Sequence, residues 1–487
     1  MISRTLLRTY TNSVHPSNDA ARPDRDPATT KAWMIGSGIG CLASAAELIR
    51  QAGVPASNIT IFEELAVHGG SLDGSHDKNK KGYVIRGGRM LNCSYLCTYD
   101  LFDWVPALVQ GKTRMDGVTP IKSVRDEIID FNERIKTCAK ARLVDIEGNK
   151  VDRINECFDE HFFTTTFWYM WATTFAFQPW HSAIEFKRYL HRFAHEFPRI
   201  ETLEGVDRTV YNQYDSLVLP LTTHLANLGV KFVTSTRVET LDFDRSNPHV
   251  MTVKALNLVD VQTGAQRVQE IDPANDLVFF TNGSMTSSAT LGDLDTPATS
   301  SQMDVFTAWS GNAPGTGALV TFKDSKWFMS FVVAKQPHYI QQKEGEYVFW
   351  AYGLNNDVEG DYVKKAMRDC TGREMMQELM GHLEKPFKSI NETTQVIPCM
   401  MPYITSMFMT RRHEDRPPVV PKLSTNLAFV SQFAEIQDDV VFTVEYSIRA
   451  AMMAVCEFMK LGKQPPAIYK ASNTPAFIFK SVSSFMS

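Results

Sequence analysis

The segment Ala32-Trp33-Met34-Ile35-Gly36-Ser37-Gly38-Ile39-Gly40-Cys41-Leu42-Ala43-Ser44-Ala45-Ala46 leaves this chain few options. An apolar run enters a glycine-rich turn, and a run of small residues follows. Strand, turn and helix in that order aim backbone N–H groups and the positive end of a helix at one spot, which suits a pyrophosphate. The pattern is irregular, with Cys41 where a third glycine or alanine usually sits. Downstream, residues 58–64 (NITIFEE) read as a second strand ending in acid. Residues 67–71 (VHGGS) follow at once, and residues 82–89 (GYVIRGGR) place another glycine pair after a third short strand. An acid ending the second strand is placed to bind ribose hydroxyls. Glu63, 27 residues after Gly36, is that acid, and the loop 51–57 takes up the long spacing. Glycines just behind it let backbone approach a phosphate or ring without a Cβ in the way. The extended glycine set favours a flavin dinucleotide over a nicotinamide one. A helix junction without ligand would leave three glycine clusters unexplained.

With 487 residues there is room for two or three domains and a large core. A 44% apolar and 22% charged composition is that of a soluble globular protein, and the net charge of −5 gives no reason to expect nucleic acid as a partner. The eight cysteines are scattered; Cys93 and Cys97 are the closest pair, with no second pair to complete a zinc site, so no metal is expected. Reduced thiols point to a cytoplasmic compartment. Residues 1–14 carry Arg4, Arg8, several Ser and Thr and no acid, as mitochondrial presequences do. Residues 16–30 are rich in Pro, Asp and Ala, and the reading adopted for 1–30 is a flexible leader. The aromatic stretch 162–180 (FFTTTFWYMWATTFAFQPW) is short and Thr-rich for a bilayer span and reads as buried helix or pocket wall.

These elements imply an α/β fold: a Rossmann-like FAD-binding domain assembled from separated segments, with an inserted mixed α+β substrate domain. The nucleotide domain takes residues 31–120, 222–284 and 395–460; the substrate domain takes a largely helical 121–221 and a mixed 285–394. Helix-like spacing runs through 182–197 and 442–459, and strand-like runs cover 326–333, 346–352 and 426–430. The mixed-charge run 411–416 reads as a solvated loop. The C-terminal segment, 461–487 with Phe477, Ile478, Phe479, Val482 and Phe485, reads as docking on the body, the alternative being a surface element in peripheral contact with a membrane.

At GYVIRGGR the chain resembles the oleate hydratase family, also called myosin-cross-reactive antigens. Further matching strings are GGSLDG at 69–74, FAFQPWHSAIEF at 175–186, YNQYDS at 211–216, IPCMMPYITSMF at 397–408 and DDVVFTVEYSIRAA at 438–451. The resemblance implies an FAD protein that adds water across a cis double bond of an unsaturated free fatty acid without net electron transfer. It implies FAD contacts at Gly36, Gly38, Ile39, Glu63, Gly70, Ser71, Arg86, Gly87, Gly88, Arg89, Met90, Val238, Thr281, Asn282, Gly283, Ser284, Val440, Phe442 and Thr443. Extra terminal segments of longer relatives are associated with dimers, so a monomer or weak homodimer is expected.

One position departs from the family. Where better-known members carry Arg-Glu-Met-Glu-Asn, this chain has Arg89-Met90-Leu91-Asn92, so a thioether replaces the water-activating acid. Asn92 is the nearest polar residue and the candidate to position water. The resemblance aligns the proton-donating tyrosine with Tyr189, with Tyr211 and Tyr214 as alternatives. A phenol of pKa about 10 protonates an alkene only if the cation is stabilised as it forms, and Trp168, Trp171, Phe175 and Phe177 are candidate faces for that. Two other functions share the glycine motifs: a flavin oxidoreductase, which would consume an electron donor or acceptor, and a fatty-acid-binding flavoprotein without turnover.

Overall fold

The structure, a computed structural model, describes residues 22–76, 82–86, 88–109, 111–135, 154, 158–199, 203, 205–247, 250–298, 307–309, 319–333, 336–346, 348–383, 394–411 and 415–471. Five parallel strands form the central sheet, in the order Leu427–Phe429, Leu277–Phe280, Ala32–Ile35, Ile59–Phe62, Lys231–Val233. All four residues of Ile59–Phe62 are buried, as expected of strands covered on both faces. The helices Ile39–Arg50 and Val444–Phe458 pack on each other beside this sheet. The chain order reverses at the first strand, and such switch points are where open parallel sheets bind ligands.

Between Lys231–Val233 and Leu277–Phe280 the chain makes a three-stranded antiparallel sheet, Thr236–Phe243, Val253–Asp260 and Gln266–Glu270. A second large sheet of six strands is built from 290–400 in antiparallel pairs, with Met329–Val333 between Leu319–Phe322 and Phe349–Gly353. Helix Gly372–His382 begins with a reciprocal cap between Thr371 and Glu374. Its Met375, Met376 and Leu379 share a core with Trp327 and Met367 of this second layer.

Several expectations are corrected. Strand Cys399–Met400 pairs within the second sheet, so the chain rejoins the parallel sheet only at Leu427, not at 395. Residues 22–30 are fastened to the body: Arg22 donates to Ser424 O and Pro421 O and pairs with Glu457, and Arg25 donates to Thr425 O. Residues 1–21 lie outside the described residues. Of the run 411–416, residues 412–414 lie outside the described residues and Asp415 is exposed, but the two arginines at its ends are not solvated. Arg411 binds Glu185 and Glu435, and buried Arg416 donates to Met407 O, because two carboxylates and a carbonyl are waiting there. Residues 472–487 lie outside the described residues, while Lys470 pairs with Asp438 and Tyr469 packs on His195. The aromatic stretch forms helix Thr166–Phe175, and among the described residues no helix is long and apolar enough to cross a membrane.

Candidate functional site

A cavity of about 680 Å³ opens at the carboxyl ends of the parallel strands. Gly36, at φ +92°, turns the chain out of the first strand, and Gly38 caps helix Ile39–Arg50 with its free N–H groups facing the cavity. Gly70, also at positive φ, packs on Gly38, where a Cβ would come within 3.2 Å of the Gly38 Cα. Gly40 does the work usually assigned to a third glycine: a Cβ there would fall 1.7 Å from Val430 O. Cys41 is tolerated because its thiol is buried against strand Leu277–Phe280, with Sγ 3.2 Å from Thr281 Oγ1, and burial raises it to about 12.

Glu63 does more than end a strand. Its Oε2 accepts from Ser37 N and Ser37 Oγ at 2.8 and 2.6 Å, and its Oε1 accepts from Leu65 N at 2.9 Å. A carboxylate has about four acceptor sites, so it rigidifies the glycine turn and still has room for a ribose hydroxyl. Arg86 grips Asp73 through Nε and an NH2 at 3.0 and 2.7 Å and donates to Thr286 O and Gly70 O, tying the glycine pair to the opposite wall. Ile39, Ser71, Arg89, Val238, Thr281, Gly283, Ser284 and Thr443 also line this cavity. Thr443 caps helix Val444–Phe458 through Tyr446 N, so a second helix N-terminus faces the same space. Glu64, Arg237, Thr286 and Gln432 line it too and were missed; only the position of Glu64 after the ribose acid hinted at any of them.

Five expected contacts lie elsewhere. Asn282 accepts from Ser431 Oγ and donates to Phe433 O, tying two loops behind the cavity. Val440 is fully buried off the wall. Gly88, Met90 and Phe442 line a second, apolar cavity instead. Gly87 lies outside the described residues.

That second cavity is walled by Phe131, Leu319, Val332, Trp350, Tyr352, Met401 and Ile404, with a polar end at Arg208, Thr209, Tyr211, Asn212, Gln213 and His338. Gly88 permits it to form beside Trp350, whose ring would lie 2.9 Å from a Cβ. Burial brings the Arg208 guanidinium down to about 10, still charged at neutral pH. Burial and, secondarily, Arg208 push His338 down to about 4, so its ring is neutral there. Arg89 lines both cavities; its guanidinium donates to Ser71 O and stands 5.5 Å from the Phe442 ring.

Of the three proposed catalytic positions, Met90 and Asn92 come together on the wall of one small chamber and Tyr189 lies apart. Met90 lines the apolar cavity, as does Tyr211. Tyr189 does not: helix Ala183–Phe193 turns it inward, fully buried, with Phe175 and Phe177 at 5.0 and 5.1 Å. Its hydroxyl accepts from Phe442 N at 3.0 Å, and burial holds its pKa well above the usual phenol value. Tyr214 lines neither cavity. Asn92 lines that chamber with its polar atoms already paired, Nδ2 donating to Glu196 and Gly205 O and Oδ1 accepting from Ser94 N. Of the four aromatic candidates, Trp171 and Phe175 line the same chamber, next to the apolar cavity, whereas Trp168 and Phe177 are core.

The sequence matches the MCRA family over residues 29–153, 148–310 and 301–456, nearly the whole described body. The chain belongs to the MCRA family. Within it, an oleate hydratase of Streptococcus pyogenes serotype M49 (strain NZ131) is 32% identical over 536 aligned positions, covering 92% of this chain and 88% of that protein. A linoleate hydratase of Lactiplantibacillus plantarum is 32% identical over 538, covering 88% and 93%. Among solved structures, a reduced UDP-galactopyranose mutase superposes with a TM-score of 0.50 at 11% identity, covering 90% of this chain and 95% of that one. At that identity the likeness is one of fold, and it places this MCRA chain among proteins of the same overall architecture.

Proposed function

We propose that this chain adds water across a cis double bond of a long-chain unsaturated fatty acid such as oleate, giving a hydroxy fatty acid, with FAD bound and no net redox change. The observation that carries this reading is Arg89, one residue on the walls of both the glycine-lined cavity and the apolar cavity, which sets a dinucleotide site against a space for an acyl chain. The family membership, and relatives named for oleate and linoleate, support the substrate class.

The donor set of the larger cavity fits FAD: N–H groups at two helix starts, glycines that leave no Cβ in the way, and an acid with acceptor sites to spare. Bound in its reduced form, the flavin would supply an electron-rich ring able to stabilise developing positive charge. Arg208 holds the fatty acid carboxylate at the polar end of the apolar cavity, and neutral His338 donates or accepts one hydrogen bond beside it. Leu319, Val332, Trp350 and Ile404 exclude water from the acyl chain. Tyr211, on the wall of that cavity, takes the role expected of Tyr189: its hydroxyl gives a proton to one alkene carbon while a water oxygen bonds to the other.

The test is incubation of FAD-loaded protein with oleate in ¹⁸O-labelled water under anaerobic reducing conditions. A product heavier than oleate by one labelled water, with no oxidant consumed, is the expected result. Stoichiometric use of an electron acceptor would replace this reading with an oxidoreductase, and binding without product would leave a fatty-acid-binding flavoprotein.

A further inference from the structure

Behind Met90 lies a small chamber of about 50 Å³, lined by Met90, Asn92, Tyr95, Trp171, Thr174, Phe175, Phe193 and Glu196, among others. Met90, Thr174 and Leu203 line both this chamber and the apolar cavity, so the two spaces adjoin there. A water needs about 10–15 Å³ measured in this way, so the chamber has room for one or a few.

Two buried polar atoms on its wall have no partner among the described residues: Trp171 Nε1 and Thr174 Oγ1. Trp171 is 1% exposed. The pair sits three residues apart on helix Thr166–Phe175, hence on one face. A buried donor left unpaired costs about 1–3 kcal/mol, and both residues line one chamber large enough for water. Glu196, on the wall of the same chamber, accepts from Asn92 Nδ2 at 2.9 Å and from Arg199 Nε at 2.6 Å, and its Oε1 lies 3.0 Å from His195 Nε2. Burial would raise this carboxyl, but its hydrogen bonds from His195, Arg199 and Asn92 outweigh that and hold it at about 2.

We propose that the water added to the double bond waits in this chamber, held by the Trp171 indole N–H and the Thr174 hydroxyl, and that Glu196 receives the proton it releases. The proposal rests on the hydratase reading above. It also explains how the chain manages with a thioether at position 90: Met90 borders both the acyl space and the water chamber without closing one from the other, and the carboxylate comes from the turn Ala194–Arg199. The step balances. The Tyr211 proton and the alkene π pair make the new C–H bond; a lone pair of the held water makes the C–O bond; the second proton of that oxygen passes to Glu196. It leaves to solvent beside half-exposed Arg199, and solvent reprotonates Tyr211, for a net gain of one water.

The experiment uses full-length, FAD-loaded protein. Thr174→Val and Trp171→Phe are expected to lower kcat about 100-fold with KM for oleate and the flavin absorption spectrum unchanged, and Thr174→Ser to restore most of it. A high-resolution crystal structure of the wild-type protein is expected to hold an ordered water bonded to both Trp171 Nε1 and Thr174 Oγ1. Full turnover in both variants, or a dry chamber, overturns the proposal while the hydratase reading stands. Wild-type protein that binds oleate but never adds water sinks the hydratase reading and this role with it, whatever the chamber contains.

Discussion

The Tyr189 hydroxyl accepts a hydrogen bond from Phe442 N at 3.0 Å, and the Phe442 ring in turn faces both the apolar cavity and the Arg89 guanidinium. Tyr189 therefore stands one layer behind the wall that it was expected to form. It fixes the loop leading into helix Val444–Phe458, and through that loop the capping Thr443 that faces the dinucleotide cavity.

Tyr189→Phe removes one neutral hydrogen bond and leaves every cavity wall in place. It is expected to cost about 0.5–1.5 kcal/mol of stability and to change turnover by only a few-fold. Tyr211→Phe removes the proposed proton donor and is expected to lower kcat by about 100-fold or more. Steady-state kinetics on oleate with parallel thermal melts distinguish the two; the reverse ranking would return the donor role to Tyr189.

Arg208→Met keeps the bulk of the side chain and loses its charge. A charge-assisted hydrogen bond is worth about 1.5–3 kcal/mol, so KM for oleate is expected to rise about 10- to 100-fold with a smaller change in kcat. Methyl oleate serves as the control: it should be as poor a substrate for the wild-type protein as the free acid is for the variant.

Gly40→Ala places a methyl group 1.7 Å from Val430 O, against backbone that cannot swing aside. A loss of about 1–3 kcal/mol is expected from overpacking. Since that helix start faces the dinucleotide cavity, flavin retained per chain, read by visible absorbance, should fall as well.

Asp439 is fully buried between Arg192 and Arg449, and Arg449 also binds Glu445, which accepts from Cys97 N and from Thr98 N and Oγ1. Asp439→Asn leaves two buried guanidinium groups short of their counter-charge. Breaking such a pair costs about 3–5 kcal/mol, which a urea unfolding curve would register as a lower midpoint with unchanged slope.

Stability should also depend on pH through His195 and Glu196. Burial lowers the His195 ring, but its hydrogen bonds to Cys93 and Glu196 outweigh that and raise it from 6.5 to about 9. The stabilisation linked to a raised group is complete below its unfolded value and is lost as pH climbs through the folded one. Glu196, depressed from 4.5 to about 2, contributes above 4.5 and loses its contribution as pH falls toward 2. Melting temperature, compared between wild type and His195→Gln, is expected to differ most between about pH 4.5 and 6.5 and to converge above pH 9. A difference that persists at pH 10 would count against this assignment.

The dinucleotide half of this protein was legible in its sequence because every constraint there is local. A strand, a turn at positive φ and a helix start occupy consecutive residues, and Gly36, Gly38, Ile39, Glu63, Gly70 and Ser71 all came to line one cavity. What the string of residues could not convey was which side of an element faces the space. Helix Ala183–Phe193 carries Tyr189 on an aromatic face, and only the packing of Phe175, Phe177 and Phe408 around it turns that face into core. Tyr211 reaches the cavity from an irregular segment with no periodicity to read. The family resemblance located Met90 as the missing acid; tertiary structure alone brought Glu196 and the unpaired groups of Trp171 and Thr174 around one chamber with it, from segments roughly 80 to 105 positions farther along the chain. Local sequence set the turn that meets a phosphate, because backbone geometry needs only neighbours. The long-range packing of aromatic side chains decided where the chemistry can take place, because a cavity exists only between elements that have already come together.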